Sequence, residues 1–210
     1  MAFHEAPQHT RARDAVVVSP DMSEPPVILI RRGMAYRSAT LANGRRAILD
    51  FFLTNDVVGC EHVASRPAVE IKAVTPITYS ALPLLRLREL MARPQIAVTI
   101  VALLAEERQR RDQHIVGLTR LDAHARISAF LVGIYDRLRQ SELVGRPTFV
   151  LPLTQDQIAD HLGLTMVHVS RTLRRLREER LALITRQVVI ITDLPGLRRA
   201  AGVGQGAPDD

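Results

Sequence analysis

Residues 153–179, LTQDQIADHLGLTMVHVSRTLRRLREE, decide how the chain is read. Thr154 stands where a side-chain oxygen can cap a helix, and Gln157 three residues on completes a capping box. The first helix then covers residues 155–162. Gly163 follows where a left-handed residue must end it, because glycine alone has no Cβ to clash at positive φ. Thr165 caps a second, longer helix. Ala159 is small, and Ile158, Leu162, Leu164 and Val169 are apolar, so the two helices can close into a tight corner. The expectation is a helix-turn-helix; the plainer alternative is an ordinary helical hairpin.

Taken at 100° per residue, Val169, Leu173 and Leu176 fall on one side of the second helix, its core face. Val167, Arg171 and Arg174 point the other way, flanked by His168 and Ser170. The N-terminal half of such a helix enters the major groove. Arg171 is therefore expected to read a base, bidentate to guanine O6 and N7. Val167 can touch a thymine methyl, and His168 and Ser170 can meet a base or a phosphate. Arg174, Arg175, Arg177 and Arg186 are expected on phosphates, with backbone N–H groups after Thr154 and Thr165 adding to them. Glu178 and Glu179 are expected to pair with arginines at helical spacing.

Composition agrees with this without proving it. The 210 residues carry a formal charge of +6, with a pI near 10.5, and Lys72 is the sole lysine. Arginine forks suit phosphates and base edges better than ammonium groups. The single cysteine, Cys60, excludes an intrachain disulfide framework, zinc cluster or four-cysteine iron–sulfur site. The longest apolar run, residues 96–105, falls well short of the roughly 18–20 residues of a membrane span. Nothing at the start resembles a signal-peptide core, so a cytoplasmic location is expected. No Ser/His/Asp set, phosphate-cradling glycine loop or metal-ligand spacing is present, so no enzyme is expected.

Outward from the corner, the chain reads as α+β. Residues 1–26 hold four prolines and, apart from a short strand at Val16-Val17-Val18, read as a flexible or rebuilt start. Residues 27–92 read as a small β-roll of short strands closed by a short helix, with Asn43-Gly44 as a type I′ hairpin turn. Residues 93–118 read as one long helix. Ala97, Val101, Leu104, Arg108, Arg111, Ile115 and Leu118 alternate spacings of four and three, the pattern of a dimer seam with a charged middle. That middle can fix register, or face a ligand or a carboxylate of the β-domain. Residues 119–202 make the last domain: a helix from Asp122, the two helices of the corner, a wing turning at Arg186-Gln187, and a short helix over residues 197–201 capped by Asp193. Residues 203–210 read as a disordered tail.

This order of parts resembles the cyclic AMP receptor protein / fumarate-nitrate reductase regulator (Crp/Fnr) family. The resemblance rests on LTQDQIADHLGLTMVHVSRTLRRLREERL and on ILIRRGMAYRSATLANGRRAILDFFLTNDVVG, and spans about residues 27–202. It implies a cyclic-nucleotide-binding-like β-roll, a long dimerisation helix and a winged helix-turn-helix. It also implies a homodimer on a two-fold symmetric DNA site that contacts RNA polymerase as activator, or occludes it as repressor. Three departures shape the expectation. Val167 stands where many members carry glutamate, and Met166 where the cyclic AMP receptor has arginine; only Arg171 matches. The cyclic-nucleotide cassette, GCEHVASRPA from Gly59 to Ala68, is short, with Pro67 after Arg66 in place of a hydroxyl residue, so cyclic AMP is not expected. The stretch before Val27 is shorter than in most members, and the family's oxygen-sensing cysteines are missing. No cofactor is expected, haem through His62 being the remote alternative. Cys60, Glu61, His62 and Arg66 form the candidate effector or redox site, which keeps open a redox- or effector-responsive sensor. A ligand- or protein-binding module with a purely structural helix-turn-helix is the remaining alternative.

Overall fold

The computed structural model describes residues 3, 5–65, 69–144 and 146–202, and its chain divides into two compact units, Met1–Asp112 and Gln113–Asp210. The division falls inside a helix, so each unit is described by itself.

The first unit is built from short strands: β1 (Gln8–Arg11), β2 (Val16–Val18), β3 (Val27–Arg32), β4 (Ala35–Thr40), β5 (Arg46–Phe52) and β6 (Val57–Val58). A 3-10 turn, Cys60–Val63, precedes β7 (Glu70–Ala73) and β8 (Ile77–Leu82). Two four-stranded antiparallel sheets result, ordered β1-β8-β3-β6 and β2-β7-β4-β5. Val18, Ile28, Ile30, Phe52, Ile71 and Ile77 from both sheets share one apolar core. Each strand is too short to be stable alone, and stability comes from burying one face of each sheet against the other.

Two expectations change here. Gln8–Arg11 is a strand, paired with β8 from Gln8↔Ser80 to Arg11↔Ile77, so residues 8–11 belong to the sheet rather than to a flexible start. Their own sequence, QHTR, has no apolar alternation, and the strand exists because β8 offers it an open edge. The Asn43-Gly44 turn is not type I′. Gly44 has φ 78°, but Asn43 is not in the left-handed region; its side chain accepts the Arg45 N–H at 3.0 Å. The loop from Leu41 to Arg45 closes with Gly44 N–H on the Leu41 carbonyl, a turn with glycine as the single left-handed residue.

Helix α1 (Leu84–Met91) and the start of α2 (Pro94–Arg120) cover the open end of this unit. Val27, Cys60, Leu82, Leu87, Leu90 and Ile100 form the contact, with Ile96, Leu103 and Leu104 packed on it. The expected seam is therefore divided. Ala97 and Leu104 are half-buried, and Arg111 pairs with Glu107 at 3.0 Å. Val98, Val101, Ile115 and Val116 are the large apolar side chains of α2 left exposed.

The second unit holds α3 (Ala123–Gln140), β9 (Thr148–Val150), α4 (Gln155–Leu162), α5 (Met166–Glu178), β10 (Ala182–Thr185), β11 (Val188–Ile191) and α6 (Leu194–Ala200). Its sheet runs β10-β11-β9, antiparallel throughout. Asp122 caps α3 through the Ala125 N–H at 2.8 Å. Asp193 caps α6 through the Gly196 N–H, so α6 starts three residues before the expected Leu197. Pro195 near its start costs nothing, since the first N–H groups of a helix have no internal partner. The tail 203–210 lies outside the described residues, and no helix among them is long and apolar enough to cross a membrane.

Candidate nucleic-acid interface

The corner between α4 and α5 is fixed by short-range chemistry. The Thr154 hydroxyl accepts the Gln157 N–H at 3.1 Å and the Gln157 side chain accepts the Thr154 N–H at 3.0 Å, closing the capping box. Gly163 ends α4 at φ 62°, and Thr165 caps α5 by accepting the His168 N–H at 3.3 Å. A long-range contact adds to these. Arg126 of α3 donates to the carbonyls of Leu118 at 2.9 Å, Leu121 at 2.8 Å and Leu162 at 3.1 Å. One guanidinium thus satisfies helix-end carbonyls that have no partner within their own helices.

Helix α5 buries Val169, Thr172 and Leu176, while Leu173 is only half-buried. Thr172 thus takes the core place expected of Leu173. Met166, Val167, His168, Ser170, Arg171 and Arg174 are exposed, and the first turn carries no acid. Among the described residues the Arg171 side chain has no ion-pair partner. Arg174 pairs with Glu178 at 2.8 Å and Arg175 with Glu179 at 2.7 Å, both one helical turn apart. Glu179 also meets His124 at 2.8 Å, and the hydrogen bond from Arg175 holds its carboxyl below the ordinary range.

The wing turns through Arg186 and Gln187, both left-handed, at φ 46° and 66°. A cleft of about 480 Å³ lies between the wing, α5 and the start of α4. Gln155, Ser170, Leu173, Arg174, Arg177 and Arg186 line it. Three of the four arginines expected on phosphates therefore gather at one concave surface. Arg175 does not; it lies on the flank tied to Glu179 and His124.

The candidate effector residues sit differently. Cys60 is buried, and burial together with Glu61 and Glu107 pushes its thiol up to about 12, so it stays protonated at neutral pH. His62 is buried against Gly59, and desolvation lowers its pKa. Arg66 lies outside the described residues. Sequence reasoning missed the centre of this region. Arg37 of β4, 5% exposed, pairs with Glu61 at 3.1 Å and with Glu107 of α2. Asp50, the cross-strand partner of Arg37, faces Arg110 at 3.9 Å. One of the roles open to the charged middle of α2, facing a carboxylate of the β-domain, is taken by Arg110 opposite Asp50 rather than by Arg108 or Arg111, which pair within the helix. Beside it the charges are reversed, with Glu107 on the helix and Arg37 on the strand. The signal was present, because Glu107 continues the spacing of Ile96, Ile100 and Leu103 on the inner face of α2.

Residues 125–200 match the family model described as Crp-like helix-turn-helix domain. The transcriptional activatory protein AadR of Rhodopseudomonas palustris is 33% identical over 195 residues, covering 91% of this chain and 80% of that protein. The chain belongs to the Crp/Fnr family of transcription regulators. It is a DNA-binding regulator by family and not an enzyme. The transcriptional activator protein FnrL of Cereibacter sphaeroides is 30% identical over 180 residues, covering 81% of this chain and 70% of that one. Among solved structures, FixK2 from Bradyrhizobium japonicum superposes with a TM-score of 0.86 at 24% identity, over 95% of this chain and 99% of that one. This Crp-like fold is α+β, with an N-terminal β-sheet domain, the long helix α2 and a helix-turn-helix backed by a small sheet.

Proposed function

We propose that the protein acts as a homodimer that reads a two-fold symmetric DNA site through α5 of each copy, without needing cyclic AMP. The observation that carries this reading is the outward face of α5: exposed Arg171 beside a capped N-terminus, next to a cleft rimmed by Arg174, Arg177 and Arg186. Val167, His168, Ser170 and Arg171 would meet base edges. The three cleft arginines, with N–H groups of α4 and α5 behind Thr154 and Thr165, would hold phosphates.

Dimerisation is supported by α2. Val98, Val101, Arg108, Asp112 and Ile115 are exposed and follow coiled-coil spacing, a seam shifted from the one expected of the sequence. Arg108 and Asp112 lie 3.7 Å apart within the helix and could exchange partners with a second copy. Independence from cyclic AMP is supported by Arg37. A buried phosphate needs an arginine free to receive it; Arg37 is engaged by Glu61 and Glu107, and the cassette arginine, Arg66, is followed in sequence by Pro67 instead of a hydroxyl residue. Contact with RNA polymerase is part of the same proposal, supported by family membership, and the names of AadR and FnrL favour activation.

Selection from random duplexes by the full-length protein tests the reading. The expected result is a palindrome with half-sites about 10 bp apart, unchanged by cyclic AMP. A selected motif lacking two-fold symmetry rejects the dimer, and a motif appearing only with cyclic AMP rejects the independence.

A further inference from the structure

Two large apolar side chains stand exposed at the first turn of α5: Met166 at 53% and Val167 at 63%. Neither helps the fold, since the buried side of this helix is Val169, Thr172 and Leu176. Around them the surface is polar or charged, with His168, Ser170, Arg171 and Arg174 exposed. In a DNA-reading helix this edge faces the floor of the major groove.

An apolar side chain pressed on a base edge removes water and offers no hydrogen bond. Guanine N7 and O6, adenine N7 and N6, and cytosine N4 would all be desolvated without a partner, which costs affinity. Thymine alone among the four bases presents a methyl group, on C5, at that edge. Val167 is four residues before Arg171, so the two lie on one face, about 6 Å apart along the helix axis. Bases in one strand are about 3.4 Å apart, so that distance spans about two base steps.

We propose that Val167, with Met166 beside it, reads a thymine C5-methyl group about two base steps from the guanine read by Arg171 in each half-site. This rests on α5 being the recognition helix and names the base class that its apolar edge selects. The chemistry is that of any C5-methylated pyrimidine; thymine is the one committed to here.

The test uses the selected duplex, with deoxyuridine replacing each thymine in turn, so that a methyl group is lost and the protein is untouched. Affinity is expected to fall about fourfold at one position of a half-site and about fifteenfold when both half-sites are changed, the size of burying one carbon each. In Val167→Ala the deoxyuridine effect at that position should shrink below twofold. Cytosine there should bind weakly, and 5-methylcytosine should restore part of the loss. The proposal is overturned if every deoxyuridine duplex binds within twofold of its parent. It is also overturned if the loss persists undiminished in both Val167→Ala and Met166→Ala. A protein that selects no duplex at all would instead overturn the reading of α5, and this inference with it.

Discussion

The unit up to Asp112 holds one interior arginine: Arg37 is 5% exposed and sits between Glu61 and Glu107, while half-buried Arg110 reaches Asp50. In the unit from Gln113 onward, Arg171, Arg174 and Arg177 lie on the surface, and Arg174 is held only by Glu178 one turn along its own helix. The physics differs accordingly. A buried guanidinium must be paired, because losing one partner strands a charge in low dielectric. An exposed one is stabilised by water, and its helical ion pair contributes only about 0.3–0.5 kcal/mol. The first kind ties α2 to the sheet, whereas the second stays available to an outside anion. Arginine content alone cannot distinguish them; burial does.

The sharpest way to break this contrast is Glu107→Ala. It removes one of two carboxylates from buried Arg37 and should cost about 3–5 kcal/mol in urea unfolding. Adding Arg37→Met should recover much of that loss; a cost below about 1 kcal/mol for the single change would make the interior pair unimportant. Arg126→Met comes next. It unmakes three bonds to helix-end carbonyls in a part-buried place, and a loss of about 2–3 kcal/mol is expected, read as a lowered denaturation midpoint.

Arg171→Ala should leave stability within about 0.5 kcal/mol, yet lose about 1–3 kcal/mol of preference at one base pair per half-site. Competition binding against duplexes mutated at each position measures it, and a uniform loss on all sequences would make Arg171 a phosphate contact. Arg177→Ala should weaken binding alike on every sequence and flatten the salt dependence by about one unit of slope per protomer.

The smallest effect concerns pH. Burial lowers the pKa of His62 from its ordinary 6.5, so between the two values the unfolded chain binds a proton that the folded one refuses. This contribution to stability is fully present above pH 6.5 and declines as the pH falls below it. The charges facing the ring are Glu61, Arg37 and Glu107. Unfolding midpoints followed from pH 7.5 to about 5 should fall less steeply in His62→Gln than in the parent.

Much of the candidate interface was legible because it is written in neighbouring residues. The Thr154–Gln157 box, the left-handed Gly163, the Thr165 cap and the wing turn at Arg186-Gln187 each need only a few residues, and each is present. The i,i+4 pairs of Glu178 and Glu179 were legible for the same reason. The face of α5 was legible as a period, apart from the exchange of Leu173 for Thr172, two residues whose directions flank the same core. The β-unit was legible as short strands and turns, but not as pairings.

The sequence by itself determined the helix-turn-helix, its caps, the wing and the outward edge of Val167, Ser170 and Arg171, since propensity, capping and periodicity act over a few residues. Only the tertiary structure decided where distant residues meet. Gln8–Arg11 became a strand because β8 lay open beside it. Arg126 met carbonyls from the ends of two other helices. Glu107 turned inward to Arg37, 70 residues away in sequence, and took Leu104 to the inside with it, leaving Val98 and Val101 as the outer face of α2. Such choices depend on which surfaces are left to bury once the sheets have paired, and no local pattern holds that information.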